Sequence, residues 1–295
     1  MIRDFPTAIR MVLVDRQAAN RSARTIDFYA NELRRFFTWV EAGGSAIGIA
    51  EITPHTIRAY LVSMEARGLS AASRDAAYRA LGPFFKFCVE EGLLESSPMT
   101  RVSRPTVDEV SKPIFTQEEI KRILAACDTP RDTAIVACLL DTGVRASELL
   151  RWKVEDIDLA EGTITILGKN RRERTVFLGS RAKRYLIKWL VAADVEFGHI
   201  WIYQGSKDEY TGKVLTTSGL NQVLRRIGSK ASVSQCNPHK FRRTFAVQCL
   251  RDGMDIFTLQ RLMGHRSLDM LKRYLTLVND DLAKAHRKHS PLDKL

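Results

Sequence analysis

The sequence predicts a mainly α-helical protein with one small β-hairpin, divided into two domains. Three observations carry this expectation. Apolar residues recur at helical spacing through most of the chain, convincing strand-like segments occur only between Trp152 and Leu178, and a proline-rich stretch without periodicity interrupts the pattern near residue 100. At 295 residues, 45% of them hydrophobic and 27% charged, the chain is long enough for two ordinary globular domains, each with its own core.

In chain order, a weakly amphipathic helix is expected over about 7–19. A stronger one follows over about 22–41, where Ile26, Tyr29, Leu33, Phe36, Phe37 and Val40 share a face and Gly43-Gly44 ends the run. Thr53 and Pro54 supply a cap and a first-turn proline for a helix to about Arg67, closed by Gly68. Ser70 then opens a long helical pattern. Because a proline removes a backbone donor and crowds the preceding turn, Gly82-Pro83 predicts a kink or break near Arg79 to Gly82. Phe84, Phe85 and Phe87 read as core residues. Residues 95–113, with three prolines and several small polar residues, read as interdomain sequence. The expected division is therefore a helical N-terminal domain over 1–100, a linker over 101–113 and a C-terminal domain over 114–295.

The second domain opens with Thr116 and Glu119 as a capping box ahead of Ile120, Ile123 and Leu124. Another apolar helix, about 131–141, leads into Gly143. Thr163 to Leu167 and Arg174 to Leu178 are the expected hairpin strands, with Lys169, Arg171, Arg172 and Arg174 as a basic tract about the turn. Helices are expected over about 180–194 and 217–229, then from about His239, then up to Gly264. A last short amphipathic helix is expected at 279–288.

The charge is unevenly shared. Residues 1–110 hold 14 Lys and Arg against 13 Asp and Glu, a net of +1, whereas residues 111–295 hold 32 against 21, a net of +11. A basic second domain attracts polyanions, and nucleic acid is the leading candidate. No signal peptide, lipidation motif or membrane-spanning run is visible, and the five cysteines contain no C-x-x-C pair. Buried, reduced thiols in a cytoplasmic protein are expected, with no membrane partner, zinc site or disulfide framework.

Chemistry-bearing residues concentrate in this basic domain. DTGVRASELLRW places Arg145 and Glu148 three residues apart at a helix start. The stretch from Cys236 to Tyr274 places His239 and Arg242 three apart, His265 after a helix-ending Gly264, and Tyr274 nine residues further on. An arginine fork matches phosphate oxygens, histidine donates or accepts protons near neutrality, and a tyrosine hydroxyl serves as a nucleophile. Singly, each feature has an ordinary reading: a solvated His-x-x-Arg face, a packed tyrosine, a surface helix acid. Converging, they suit covalent attack on a phosphodiester.

Arg145, Lys169, His239, Arg242, His265 and Tyr274, in that order and in those local contexts, resemble the active-site series of the tyrosine recombinases, the phage-integrase and Xer-like enzymes. The resemblance covers nearly the whole chain. It implies an N-terminal helical, SAM-like core-binding domain and a C-terminal α+β catalytic domain that clamp a DNA duplex. It also implies strand cleavage through a 3′-phosphotyrosyl intermediate and exchange through a Holliday junction, serving integration, excision or resolution of a mobile element or replicon. Tyr274 would be the nucleophile. Arg145 and Arg242 would hold the nonbridging oxygens, Lys169 would protonate the leaving 5′ oxygen, His265 would donate to the phosphate, and His239 would help to take the tyrosine proton. Glu148 would orient an arginine or His239, and Arg171, Arg172, Arg174 and Arg243 are candidates for contact with DNA.

The implied partners are double-stranded DNA carrying specific recombination sites and a tetramer of this chain on DNA, or a hetero-oligomer with a paralogue. The helix at 279–288 would dock on a neighbouring protomer. No cofactor is expected: the phosphotyrosyl bond conserves the phosphodiester energy, so ATP is not needed, and no carboxylate cluster suggests a metal. The box GHRSLDMLKRYLTL and the extra Arg243 lie closer to recombinases of mobile elements than to resolvases of chromosome dimers. Two alternatives use the same fold, a tyrosine-class topoisomerase and a DNA-binding protein that has lost catalysis.

Overall fold

The computed structural model describes residues 4–43, 48–107, 113–167, 173–204 and 210–265, together with 267, 268, 271, 274, 286, 290 and 292. It divides into two compact units, Met1–Val110 and Ser111–Leu295. Most described residues are helical, with small antiparallel sheets confined to the second unit.

The first unit contains α1 (Phe5–Ala18), α2 (Ala23–Ala42), α3 (Pro54–Ala66) and α4 (Ala71–Glu90). Thr53 and Ser70 accept backbone N–H groups at the starts of α3 and α4, as their positions in the sequence predict, and Ser22 does the same at the start of α2. The core is aromatic: Phe36, Tyr60, Phe84 and Phe85 are almost wholly buried, and their rings meet edge to face. Phe84, Phe85 and Phe87 are core residues, as expected.

Of the kink or break expected at Gly82-Pro83, the break does not occur: α4 runs through Pro83 as one helix. The residue before a proline normally collides with its ring through Cβ, and glycine has none. Buried Ala77, Ala80 and Leu81 on one side of Pro83, and Phe84, Phe85 and Cys88 on the other, anchor both halves of the helix in one core. Residues 98–104 also belong to this unit. Met99 and Val102 join its core, Tyr78 donates to the Val102 carbonyl at 3.2 Å, and Arg104 binds Asp75 through Nε at 2.6 Å. The start of the expected linker is thus packed sequence.

The second unit is built around α6 (Pro130–Thr142), in which Ala134 to Leu139 are buried consecutively. A helix apolar on all sides must lie inside its domain. Around it are α5 (Gln117–Ala125), the four-residue α7 (Ala146–Leu149), α8 (Ser180–Ala193) and α9 (Thr217–Lys230), followed by α10 (Pro238–Arg251) and α11 (Ile256–Met263). The capping box of Thr116 and Glu119 forms as expected.

Strands β1 (Ile157–Asp158), β2 (Thr163–Leu167) and β3 (Glu173–Phe177) make an antiparallel sheet in that order, with Ile164 opposite Val176 and Ile166 opposite Arg174. A second antiparallel pair, β4 (Ile202–Gln204) and β5 (Tyr210–Val214), was not expected from sequence. β4 is three residues long, and β5 carries Gly212 and Lys213 in place of an apolar alternation. Trp152, Trp189 and Trp201 fill the core between sheets and helices. All five cysteines are free thiols, three of them buried. The expected helix at 279–288 lies outside the described residues, apart from His286.

Candidate functional site: an arginine pocket

The chain reversal after α6 sets the first functional side chain. Gly143 ends α6 with φ +58°, and a Cβ there would collide with the ring of Phe245, so both conformation and space call for glycine. Two residues later, Arg145 is the N-cap of α7. Its backbone N–H donates to Glu148 Oε2 at 2.9 Å, and its Nη1 donates to Glu148 Oε1 at 2.8 Å. The carboxylate that caps the helix therefore also aims the guanidinium. Glu148 is buried, which overturns its reading as a surface acid.

The second arginine arrives from α10. Asn237 caps this helix by accepting from the Lys240 N–H, and Pro238 occupies the first turn. On α10 His239 is exposed, whereas Arg242 is turned inward, where it is 5% exposed. Arg242 donates to the carbonyls of Gly143 and of Met263, the latter at 2.7 Å, and to His265 Nε2 at 2.8 Å. It thereby ties the reversal after α6 to the end of α11. Burial and the nearby charge of Arg145 lower its pKa from 12.5 to about 10, which still leaves it charged at neutral pH.

His265 follows Gly264, the left-handed residue that stops α11. An arginine has no acceptor, so the contact with Arg242 makes Nε2 the acceptor and places the imidazole proton on Nδ1. That Nδ1 is buried and has no hydrogen-bond partner among the described residues. Burial, together with the charges of Arg242, Arg145 and Arg174, lowers the His265 pKa to about 4, so the ring is neutral at physiological pH.

Arg174 holds a place that the sequence reading missed. It is not a solvated turn residue. Its side chain is 14% exposed, and it donates to both oxygens of Glu148, at 3.2 and 2.9 Å, and to the Leu262 carbonyl at 3.1 Å. Period-two alternation carries the missing signal: Arg174 and Val176 lie on the inner face of β3, while Glu173, Thr175 and Phe177 point outward. Burial raises the Glu148 carboxyl, but hydrogen bonds from the Arg174 side chain and the Arg145 backbone more than offset this and hold it at about 2.

Tyr274 is half-buried against a cluster formed by Ala246, Leu259, Met263 and Leu271. It lies near enough to Arg242 and Arg243 for a phenolate there to favour their charged forms. Arg243 donates to the Pro113 carbonyl at 3.2 Å, tying the first residues of the second unit to α10. Lys169, Arg171 and Arg172 lie outside the described residues.

Hydrogen bonds join Arg145 and Arg174 to Glu148, and Arg242 to His265; the two groups lie close enough for their charges to interact, with Tyr274 beside them. Three guanidinium groups face one carboxylate, and the imidazole among them is neutral. A partly buried excess of positive charge with rigid donors suits a phosphate. Among the described residues no group of three His, Cys, Asp or Glu could hold a metal ion, and no helix is long and apolar enough to cross a membrane.

Comparison with known proteins places this pocket in context. Residues 113–280 match the model of the phage integrase family, and residues 16–92 match that of the phage integrase N-terminal SAM-like domain. The chain is 32% identical to the tyrosine recombinase XerC of Oceanobacillus iheyensis over 288 residues, covering 92% of each protein. It is 30% identical to the tyrosine recombinase XerA of Thermococcus kodakarensis, covering 93% of this chain and 92% of that protein. In fold it is similar to the site-specific recombinase XerH in a post-cleavage complex with its palindromic difH substrate. The TM-score is 0.71 at 22% identity, over 92% of this chain and 82% of the other.

Proposed function

The chain belongs to the phage integrase family of tyrosine recombinases, and from that premise we propose that its arginine pocket holds the scissile phosphate of DNA while Tyr274 attacks it. The protein is an enzyme of site-specific DNA recombination. The observation that carries the residue-level reading is the cluster in which Arg145, Arg242 and His265 gather about Glu148 with Tyr274 alongside.

In the proposed step, the Tyr274 hydroxyl attacks phosphorus and the bond from phosphorus to the 5′ oxygen breaks. A 3′-phosphotyrosine and a free 5′ hydroxyl result. The tyrosine proton passes toward His239, and Lys169 protonates the departing oxygen. Arg145 and Arg242 bind the nonbridging oxygens, where each preorganised donor is worth about 3–4 kcal/mol of barrier. His265 donates as a neutral imidazole, and its low pKa keeps a further positive charge out of an already cationic pocket. Glu148 aims Arg145 and takes no part in proton transfer, since its carboxyl remains ionised. Attack by the 5′ hydroxyl of a second strand reverses the step and completes exchange, so no ATP is consumed.

The partner in this reading is duplex DNA carrying recombination sites, bound by a tetramer of this chain or by a mixed tetramer with a paralogue. The helix expected at 279–288 would dock on the neighbouring protomer. The first unit, together with Arg171 and Arg172, adds contacts to DNA. Strand exchange, as opposed to relaxation of one strand, is favoured by a likeness to recombinases that runs the length of the chain.

The test is a duplex selected by the protein from a randomised library, nicked close to its cleavage point so that the cut fragment escapes. A covalent protein–DNA adduct that forms with the wild type and vanishes in Tyr274→Phe is expected. Binding without any adduct would leave a DNA-binding protein, and relaxation of plasmids without exchange between two sites would leave a topoisomerase.

A further inference from the structure

Two side chains bridge the reversal after α6 to the last turn of α11. Arg242, from α10, links the Gly143 carbonyl to the Met263 carbonyl and His265. Arg174, from β3, links both oxygens of Glu148 to the Leu262 carbonyl. Its guanidinium also lies against Gly264, where a Cβ would come within 2.8 Å of Nη1 and 3.0 Å of Cζ. Arg174 therefore touches the support of Arg145, through their shared carboxylate, and the support of His265, through the turn just before it.

We propose that Arg174 is a positioning residue for strand cleavage: acting through Glu148 and the 262–264 turn, it fixes Arg145 and His265 around the phosphate without binding DNA itself. The inference rests on the phosphate-pocket reading above. Each of its three guanidinium nitrogens donates to a protein acceptor and its side chain is 14% exposed, as a residue holding others in place requires. The geometry is specific to arginine, since a lysine cannot grip two carboxylate oxygens and a carbonyl at once. Without Arg174, Glu148 loses the hydrogen bonds that do most to hold it ionised, and it would take up a proton at a higher pH.

The experiment compares full-length wild type, Arg174→Lys, Arg174→Gln, Glu148→Gln and the double variant Arg174→Gln/Glu148→Gln on the selected nicked duplex. Both single Arg174 variants should bind within threefold of wild type with an unchanged salt dependence, yet form adduct at least tenfold more slowly at saturating protein. The acid limb of the rate profile should move to higher pH in Arg174→Gln, a change that loosened packing alone does not produce. In the Glu148→Gln background, adding Arg174→Gln should slow adduct formation by clearly less than it does in the wild-type background, because one of the two contacts through which it acts is already altered. The double variant and Arg174→Lys keep the test available if Arg174→Gln does not fold. The proposal is overturned if losing Arg174 lowers the salt slope by about one while adduct formation at saturation is normal, which is the signature of a phosphate contact. It is equally overturned if the two losses multiply in the double variant. Absence of any wild-type adduct would sink the phosphate-pocket reading, whereas a wild-type adduct with unimpaired Arg174 variants would sink this inference alone.

Discussion

Replacing Gly264 by alanine would put a methyl group where the Arg174 guanidinium now lies. The backbone there has φ +62°, and the new Cβ would stand 2.8 Å from Nη1, 3.0 Å from Cζ and 3.2 Å from Cδ of Arg174. The side chain must move, and its hydrogen bonds to Glu148 and the Leu262 carbonyl weaken or break. The left-handed conformation alone costs an alanine about 1–2 kcal/mol, and loss of hydrogen bonds between charged groups adds about 1.5–3 kcal/mol. Gly198 is the control, because it lies in the same unit with φ +76° and open space around its Cβ position, so Gly198→Ala carries only the backbone cost. Denaturant unfolding followed by tryptophan fluorescence suits the comparison, since three of the four tryptophans, Trp152, Trp189 and Trp201, report on the second unit. Gly264→Ala should lose more stability than Gly198→Ala and should form covalent adduct at least tenfold more slowly on saturating DNA. Equal losses of stability, with wild-type adduct formation by Gly264→Ala, would refute the link between this turn and the arginine pocket.

Three further outcomes follow from the structure. The Glu148 carboxyl titrates at about 2 in the fold against an ordinary 4.5. A depressed carboxylate contributes stability that is present above 4.5 and lost as pH falls toward 2; this amounts to about 3 kcal/mol, and acid unfolding of Glu148→Gln should lack that step. His265 should remain a neutral, Nδ1-protonated imidazole down to about pH 4 in nitrogen-15 spectra, and a titration midpoint near 6.5 would contradict its contact with Arg242. Phe84→Ala, at a wholly buried ring in the first unit, should destabilise that unit by about 3–5 kcal/mol in thermal unfolding, and a loss below 1 kcal/mol would mean that the aromatic core is not packed as described.

Much of the fold was legible because its determinants are local. Ser22, Thr53, Ser70 and Thr116 mark helix starts through a hydrogen bond that each can make within one turn, and Gly143 and Gly264 mark helix ends through a conformation that glycine adopts at little cost. The readings that failed depend on distant partners. Pro83 signals a break locally, yet the core on both sides of it holds α4 continuous. β4 and β5 are too short and irregular to show alternation, and their pairing exists only in three dimensions. At the site, residue types and spacing picked out Arg145, Arg242, His265 and Tyr274, whereas the inward direction of Arg174, carried only by the alternation of a five-residue strand, went unread. Arg174 sits beside a basic turn, and its acceptors, Glu148 and Leu262, lie 26 and 88 positions away.

The central claim is that these scattered groups act on one phosphorus through Tyr274. Its most direct test is to trap the adduct on the nicked duplex, digest protein and DNA, and locate the attached nucleotide by mass spectrometry. The account predicts a single modified peptide, carrying the nucleotide through its 3′ phosphate on the Tyr274 hydroxyl. Attachment to any other side chain, or cleaved DNA with a free 3′ phosphate and no modified peptide, would contradict it.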